Sequence, residues 1–142
     1  GEIYEDSNES SQVLHVSQGD FDILLTGDVE GKGEEAVLNL LQESKITWEV
    51  LKVAHHGSKN SSKEAFLDCV NPGQAVISCG KENSYGHPHK EVLERLETRT
   101  GRIFITWKEG AIGIYVRNPF FSDKENRDKM SRNQEKILGG LE

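Results

Sequence analysis

Two apolar runs that each end abruptly on chemistry-bearing residues constrain this chain more than any other feature. Phe21 to Thr26 stops on Thr26-Gly27-Asp28, and Val50 to Ala54 stops on His55-His56-Gly57-Ser58. A short apolar run bounded by turn residues reads as a strand buried on both faces. Strands of that kind belong to layered α/β proteins. There, chemistry collects at the C-terminal strand ends, where loops are free to carry it on a rigid base. A third group, Tyr85-Gly86-His87-Pro88-His89, follows a further strand-like run. An aspartate and several imidazoles at successive strand ends form a candidate metal or acid–base constellation.

The rest of the chain supplies a frame for these ends. Residues 1 to 11 are acidic, serine-rich and without periodicity, and read as a disordered start. Gln12 to Ser17 is a short strand, Gln18-Gly19-Asp20 a hairpin turn, and Phe21 to Thr26 the return strand. Glu34 to Glu43 has the helical period, with Val37, Leu38 and Leu41 on one face. Its acidic first turn suits the positive end of the helix dipole. Trp48 to Ala54 is the second buried strand. Ser61-x-x-Glu64 reads as a capping box for a helix through Val70 that buries Ala65, Phe66 and Cys69, and Asn71-Pro72-Gly73 stops it. Ala75 to Cys79 is a third buried strand. Pro88 suits the first turn of a helix that buries Val92, Leu93 and Leu96 and carries Glu91 and Arg95 as an i, i+4 pair. Ile103 to Trp107 and Ala111 to Val116 read as a hairpin around Lys108-Glu109-Gly110. The predicted order is ββαβαβαββ, an α/β arrangement with helices on a mixed sheet. Residues 118 to 142 turn to Asp, Lys, Glu, Asn and Arg and read as a polar tail, helical over Asp123 to Leu138 or disordered. The closing Leu141-Glu142 reads as a vector remnant.

At 142 residues the chain has room for one domain with a real core. No apolar run approaches the roughly 18–20 residues that cross a bilayer, and no signal-peptide pattern opens it. The net charge of −7 argues against a surface that grips nucleic acid by bulk electrostatics. It leaves open a metal site acting on a phosphodiester, where the cations supply positive charge. Cys69 and Cys79 are not in a C-x-x-C pattern and read as free thiols, with a disulfide the alternative.

Each candidate residue has a plainer reading beside its chemical one. Asp28 alone also fits a turn aspartate. His55 and His56 gain nothing in packing from such a position. Adjacent residues of an extended strand point to opposite faces, so one of the pair faces Asp28, or both do if the strand breaks at Gly57. Neutral imidazole ligates metal or shuttles a proton near neutral pH. His87 and His89 flank Pro88 at a loop–helix junction, where a histidine can also be a simple N-cap. Ser58, Ser61 and Ser62 can hold a phosphate at the helix start or merely cap it. There is no G-x-S-x-G elbow of a serine hydrolase. His15, in mid-strand, reads as a surface residue.

Taken in order and spacing, LLTGDVEG, VLKVAHHGSKNSS and YGHPHKEVLERL resemble the C-terminal half of a metallo-β-lactamase-fold hydrolase. They are most similar to the soluble domain of the ComEC competence DNA-uptake channel family, over about Val13 to Val116. The resemblance implies the second half of an αββα sandwich, residues 12 to 117, in a fold that holds two divalent metals, usually zinc, with manganese an alternative. It implies Asp28 as the carboxylate bridging both metals and His87 as a late ligand of the second metal. It implies His55 or His56 as the group that stabilises or protonates the departing phosphate oxygen, with one of the pair alternatively a ligand; Ser58 stays the candidate substrate contact from the residue reading above.

The family's H-x-H-x-D-H signature, and the further histidine that precedes the TGD strand, are absent from this sequence. The expectation is therefore a part of a metal-dependent phosphodiesterase acting on DNA during competence-type uptake, with little or no activity when alone and its metal either kept or absent. Its partners would be the N-terminal half of the domain, and DNA or another phosphodiester. In the channel family such a domain is a soluble part of a bacterial membrane protein. The alternative is a non-catalytic half-domain that docks a partner or forms a homodimer through the sheet face its other half would cover.

Overall fold

The computed structural model of the chain describes residues 7–116. Two compact units divide at Ile112 and Gly113, and only residues 113–116 of the second are among those described. The first unit is built on a five-stranded sheet in the order β1-β2-β3-β4-β5. The strands are β1 (Leu14–Gln18), β2 (Phe21–Leu25), β3 (Val50–Lys52), β4 (Gln74–Ile77) and β5 (Arg102–Ile105). β1 and β2 are an antiparallel hairpin, with Leu14 opposite Leu25 and Gln18 opposite Phe21. The turn between them has Gly19 at φ +62°, which only glycine adopts freely. The remaining pairs are parallel, with Leu24 opposite Leu51, Leu51 opposite Ala75 and Ala75 opposite Ile103.

Three helices make the parallel crossovers: α1 (Gly31–Leu41), α2 (Glu64–Val70) and α3 (Lys90–Glu97). Each crossover advances one strand in the same direction. Right-handed connection then puts all three helices on one face of the sheet. That face holds the core, in which Leu24, Leu51, Val53, Ala75 and Ile77 pack with Phe66, Leu67, Val92 and Leu96 from the helices. The alternating positions Ile23, Leu25, Lys52, Val76 and Phe104 occupy the opposite face and are only half-buried. All five residues of β1 are exposed, Leu14 and Val16 at 46% and 47%. This mixed sheet with helices flanking it matches the α/β class expected from the sequence. Among the described residues, no helix is long and apolar enough to cross a membrane.

The local departures have identifiable causes. Residues 7 to 10 form a 3-10 turn where a disordered start was expected, because Glu9 and Asn8 bond to the loop entering α1. Helix α1 begins at Gly31, earlier than Glu34, and Glu34 is buried rather than solvated. The Ser61–Glu64 capping box does not form. Lys63 is the N-cap of α2 and makes no side-chain cap bond. The Glu34 carboxylate accepts the amide N–H groups of Ser62 and Lys63 instead. Ala65 is exposed, and Cys69 and Cys79 are free thiols of intermediate burial. Helix α3 starts at Lys90, after Pro88, and the ion pair on it is Lys90–Glu94 rather than Glu91–Arg95.

The final hairpin is also absent. After β5 the chain turns into a short helix, α4 (Thr106–Glu109), and residues 111–116 form no strand. At that turn the Thr106 hydroxyl accepts the Cys79 N–H and donates to the Cys79 carbonyl, each at 3.0 Å. That closes the end of β4 with a side chain instead of a continuing strand. The polar tail expected over 118–142 lies outside the described residues.

A candidate metal and acid–base site at the strand ends

The three singled-out loops lie side by side, at the C-terminal ends of β2, β3 and β4. They are fastened to one another by backbone. Thr26 Oγ1 donates to the Lys52 carbonyl at 2.5 Å, and His55 N–H donates to the Gly27 carbonyl at 3.1 Å. His89 N–H donates to the Gly57 carbonyl at 2.9 Å, and the Lys59 N–H donates to His89 Nδ1 at 3.2 Å. Gly57 has φ +85°, and a Cβ there would lie 2.6 Å from Pro88 Cβ. Gly27 has φ +53°, and its Cβ would lie 2.8 Å from the Gln12 carbonyl oxygen. These contacts give the glycines of TGD and HHG a physical reason. Each sits where another loop crosses too closely for a side chain.

Backbone geometry answers the question left open at His55-His56. Neither extended nor helical geometry persists: His55 (φ 46°, ψ 48°) and His56 (φ 54°, ψ 18°) are both left-handed. Non-glycine residues rarely hold that conformation, and it clusters where function fixes a side chain. As a result both rings reach the same rim. Centroid separations are 6.3 Å between His55 and His56, 5.4 Å between His55 and His87, and 6.4 Å between His56 and His87. His89 lies 4.9 Å from His87 on its far side. His56 Nε2 is 3.7 Å from Asp28 Oδ1. The structure thus gathers Asp28, His55, His56 and His87 at one edge.

The acceptors around the rings set where their protons sit. His56 Nδ1 lies 2.6 Å from the Ser78 carbonyl, which only accepts, so this nitrogen carries a proton and Nε2 is left facing Asp28. His55 Nδ1 lies 3.0 Å from Glu30 Oε2, a carboxylate oxygen that accepts its proton, and Nε2 is left outside that bond. A histidine held at one nitrogen by a carboxylate or carbonyl, with the other free, is the usual arrangement of a metal-ligating imidazole. Partial burial pushes His87 below the ordinary histidine pKa, helped by the neighbouring His89, His55 and His56 and opposed by Asp28. Neutral His87 therefore persists to lower pH.

Lys52 was not singled out in the sequence, yet it enters the site from the sheet. Its Nζ donates to the Gly27 carbonyl at 3.0 Å and lies 4.0 Å from Asp28 Oδ1. Burial lowers its pKa, and the charge of Asp28 partly restores it. Glu30 was missed as well; it follows Asp28 by two residues, but its partner His55 lies 25 positions away. Ser58 differs from expectation. It is 4% exposed, and its Oγ accepts the Asn60 N–H at 3.2 Å, so it shapes the loop from inside. Ser61 likewise bonds inward, to the Ala54 and Ser58 carbonyls. The start of α2, read as a possible phosphate seat, is taken by the Glu34 carboxylate.

Carboxylate oxygen and neutral imidazole nitrogen are the donors that zinc and manganese accept. Their chemistry at this rim suits a metal. Among the described residues, however, no three His, Cys, Asp or Glu side chains draw together closely enough to hold an ion between them. The donors present are thus the right kind, without three of them drawn around one point among the described residues.

Comparison with known proteins points the same way. The chain is 42% identical over 111 residues to ComE operon protein 3 of Bacillus subtilis, covering 78% of this chain and 14% of that protein. It is 38% identical over 136 residues to Recombination protein 2 of Haemophilus influenzae, covering 93% of this chain and 16% of that protein. It is 37% identical over 107 residues to Competence protein ComA of Neisseria gonorrhoeae, covering 75% and 15% respectively. The chain therefore spans about one-seventh of the length of these relatives. No solved structure matches. The sequence model of the Metallo-beta-lactamase superfamily matches residues 1–81, more than half of the chain and inclusive of both the TGD and HHGS ends. With its mixed sheet and its aspartate and imidazoles at the strand ends, the chain belongs to the metallo-β-lactamase superfamily.

Proposed function

We propose that this chain is the C-terminal part of a metal-dependent hydrolase that cleaves phosphodiesters, acting on DNA during competence-type uptake. The superfamily is usually hydrolytic and typically binds metals, and similar proteins carry competence names. The observation that carries the reading is the gathering of three imidazoles at one rim, with His56 3.7 Å from Asp28, two of the three from left-handed backbone with Nδ1 engaged.

In this reading Asp28 and His87 hold metal, together with ligands from an H-x-H-x-D-H segment in the N-terminal half of the domain. Bound metals, zinc or manganese, would lower the pKa of a water and neutralise charge on the phosphoryl oxygens. His56 presents Nε2 toward Asp28 and can hold or release a proton at that atom. His55 is oriented by Glu30, which keeps its own Nε2 available. Gly57 and Pro88 interlock to fix the spacing of the two histidine loops.

The test uses a polypeptide that joins this chain to an H-x-H-x-D-H half. Its metal-dependent turnover of bis(p-nitrophenyl) phosphate should be lost in Asp28→Ala, and this chain alone should give little or none. Turnover indifferent to Asp28→Ala would sink the proposal. Zinc binding should weaken as pH falls below about 6.5, where free imidazoles protonate; a zinc titration at two pH values reads that directly.

A second reading rests on β1, which leaves Leu14 and Val16 nearly half exposed on an edge strand. In it the chain is a docking or self-association module, forming a homodimer through the sheet face away from the helices. A monomer in sedimentation at high concentration counts against it.

A further inference from the structure

Beside the histidines lies a cavity of about 370 Å³, within the roughly 300–1,000 Å³ range of small-molecule sites. Ser78, Cys79 and Thr106 wall it, Tyr85 stands on its rim, and it opens onto His56 and His87. Tyr85 is 76% exposed, yet its ring lies nearly parallel to His87, at 5.8 Å and 22°. The loop that carries it is held from within by Asn83. The Asn83 amide donates to the Gly80 carbonyl at 2.8 Å and to the His87 carbonyl at 2.6 Å, and its oxygen accepts the His87 N–H at 2.8 Å. An aromatic with one face on a site histidine and the rest in water, on a braced loop, is a ready stacking platform. The loop's cross-bonds leave little ordering for a ligand to impose.

We propose that Tyr85 and this cavity form a subsite for one nucleobase of a single-stranded nucleic acid, whose phosphate sits among the imidazoles. The proposal rests on the phosphodiesterase reading and names the part of the substrate that reading leaves open. A nucleotide bound by its phosphate at the histidines carries its base one sugar away. The ring of His87 lies between the two places, 6.4 Å from His56 and 5.8 Å from Tyr85. Stacking tolerates any base, because every base has a π-face. It also supplies affinity that a chain with net charge −7 does not obtain from bulk electrostatics.

The experiment is an NMR titration of the zinc-supplemented chain with a thymidine hexanucleotide and with the same hexamer made abasic. The Tyr85 ring and His87 signals should shift with the thymidine hexamer and far less with the abasic one. Tyr85→Ala should weaken thymidine-hexamer binding at least about fivefold, as loss of base–aromatic stacking does, with abasic binding unchanged. Tyr85→Trp should restore it. The exposed ring makes misfolding of these variants unexpected, and an amide spectrum of each checks it. Equal binding of the two hexamers, indifference to Tyr85→Ala, or no binding of either overturns the subsite. The thymidine hexamer and zinc shifting His55 and His56 while Tyr85 stays silent sinks the subsite and leaves the hydrolase reading standing. Zinc that perturbs neither histidine in the polypeptide joined to an H-x-H-x-D-H half sinks that reading instead.

Discussion

His55, His56 and Gly57 follow one another in left-handed backbone, a run that costs about 1–2 kcal/mol at each non-glycine residue. The strand before it and the bond from Gly57 to His89 hold it in place. Replacing Gly57 by alanine would place a Cβ 2.6 Å from Pro88 Cβ at a φ of +85°. Gly57→Ala should lower the urea midpoint and weaken zinc binding together, because the loop carries both histidines. Unchanged zinc affinity would show that the histidines are positioned without this interlock. The histidines and Asp28 were legible from sequence because they end apolar runs. Glu30 and Lys52 were not. Their partners are fixed by strand pairing and loop crossing, and local spacing carries no trace of either.

Helix α2 is short, and its N-terminus is served by a carboxylate from another helix. Glu34 is 3% exposed and accepts the amides of both Ser62 and Lys63. Burial raises its pKa, and the two amides partly oppose the rise. Glu34→Ala should cost roughly 1–3 kcal/mol for the buried Ser62 amide left without an acceptor, read by chemical denaturation. Glu34→Gln, which keeps one acceptor oxygen, should recover part of that. An alanine variant as stable as the parent would show that water replaces the carboxylate. A capping box was the natural reading of Ser61-x-x-Glu64, because sequence shows near neighbours only. The competing acceptor lies 28 residues back. The same blindness produced the expected hairpin over 103–116. Ile103 to Trp107 is strand-like in composition, but the Thr106 hydroxyl ends the pairing at Cys79.

At the scale of the molecule, the order of elements was the most legible feature, since alternating apolar runs and helical periods dictate parallel crossovers. What alternation does not reveal is that the three crossover helices lie on one side. That emerges only from the sequential strand order. One global property follows from the crowded imidazoles. His87 has a lowered pKa in the fold, so the unfolded chain takes up its proton first as pH falls. The stability this provides is full above the ordinary value of 6.5 and is lost as pH drops from there toward the folded value. The urea midpoint of the parent should therefore fall more between pH 7 and 5.5 than that of His87→Gln. Parallel curves would show that other groups carry the acid sensitivity.

The three loops are joined in series: Thr26 to Lys52, His55 to Gly27, His89 to Gly57. A chain of couplings has no independent links. Amide protons at His55 and His89 should accordingly exchange with solvent at matched rates, as one opening event, and a lesion in the first loop should quicken exchange in the third.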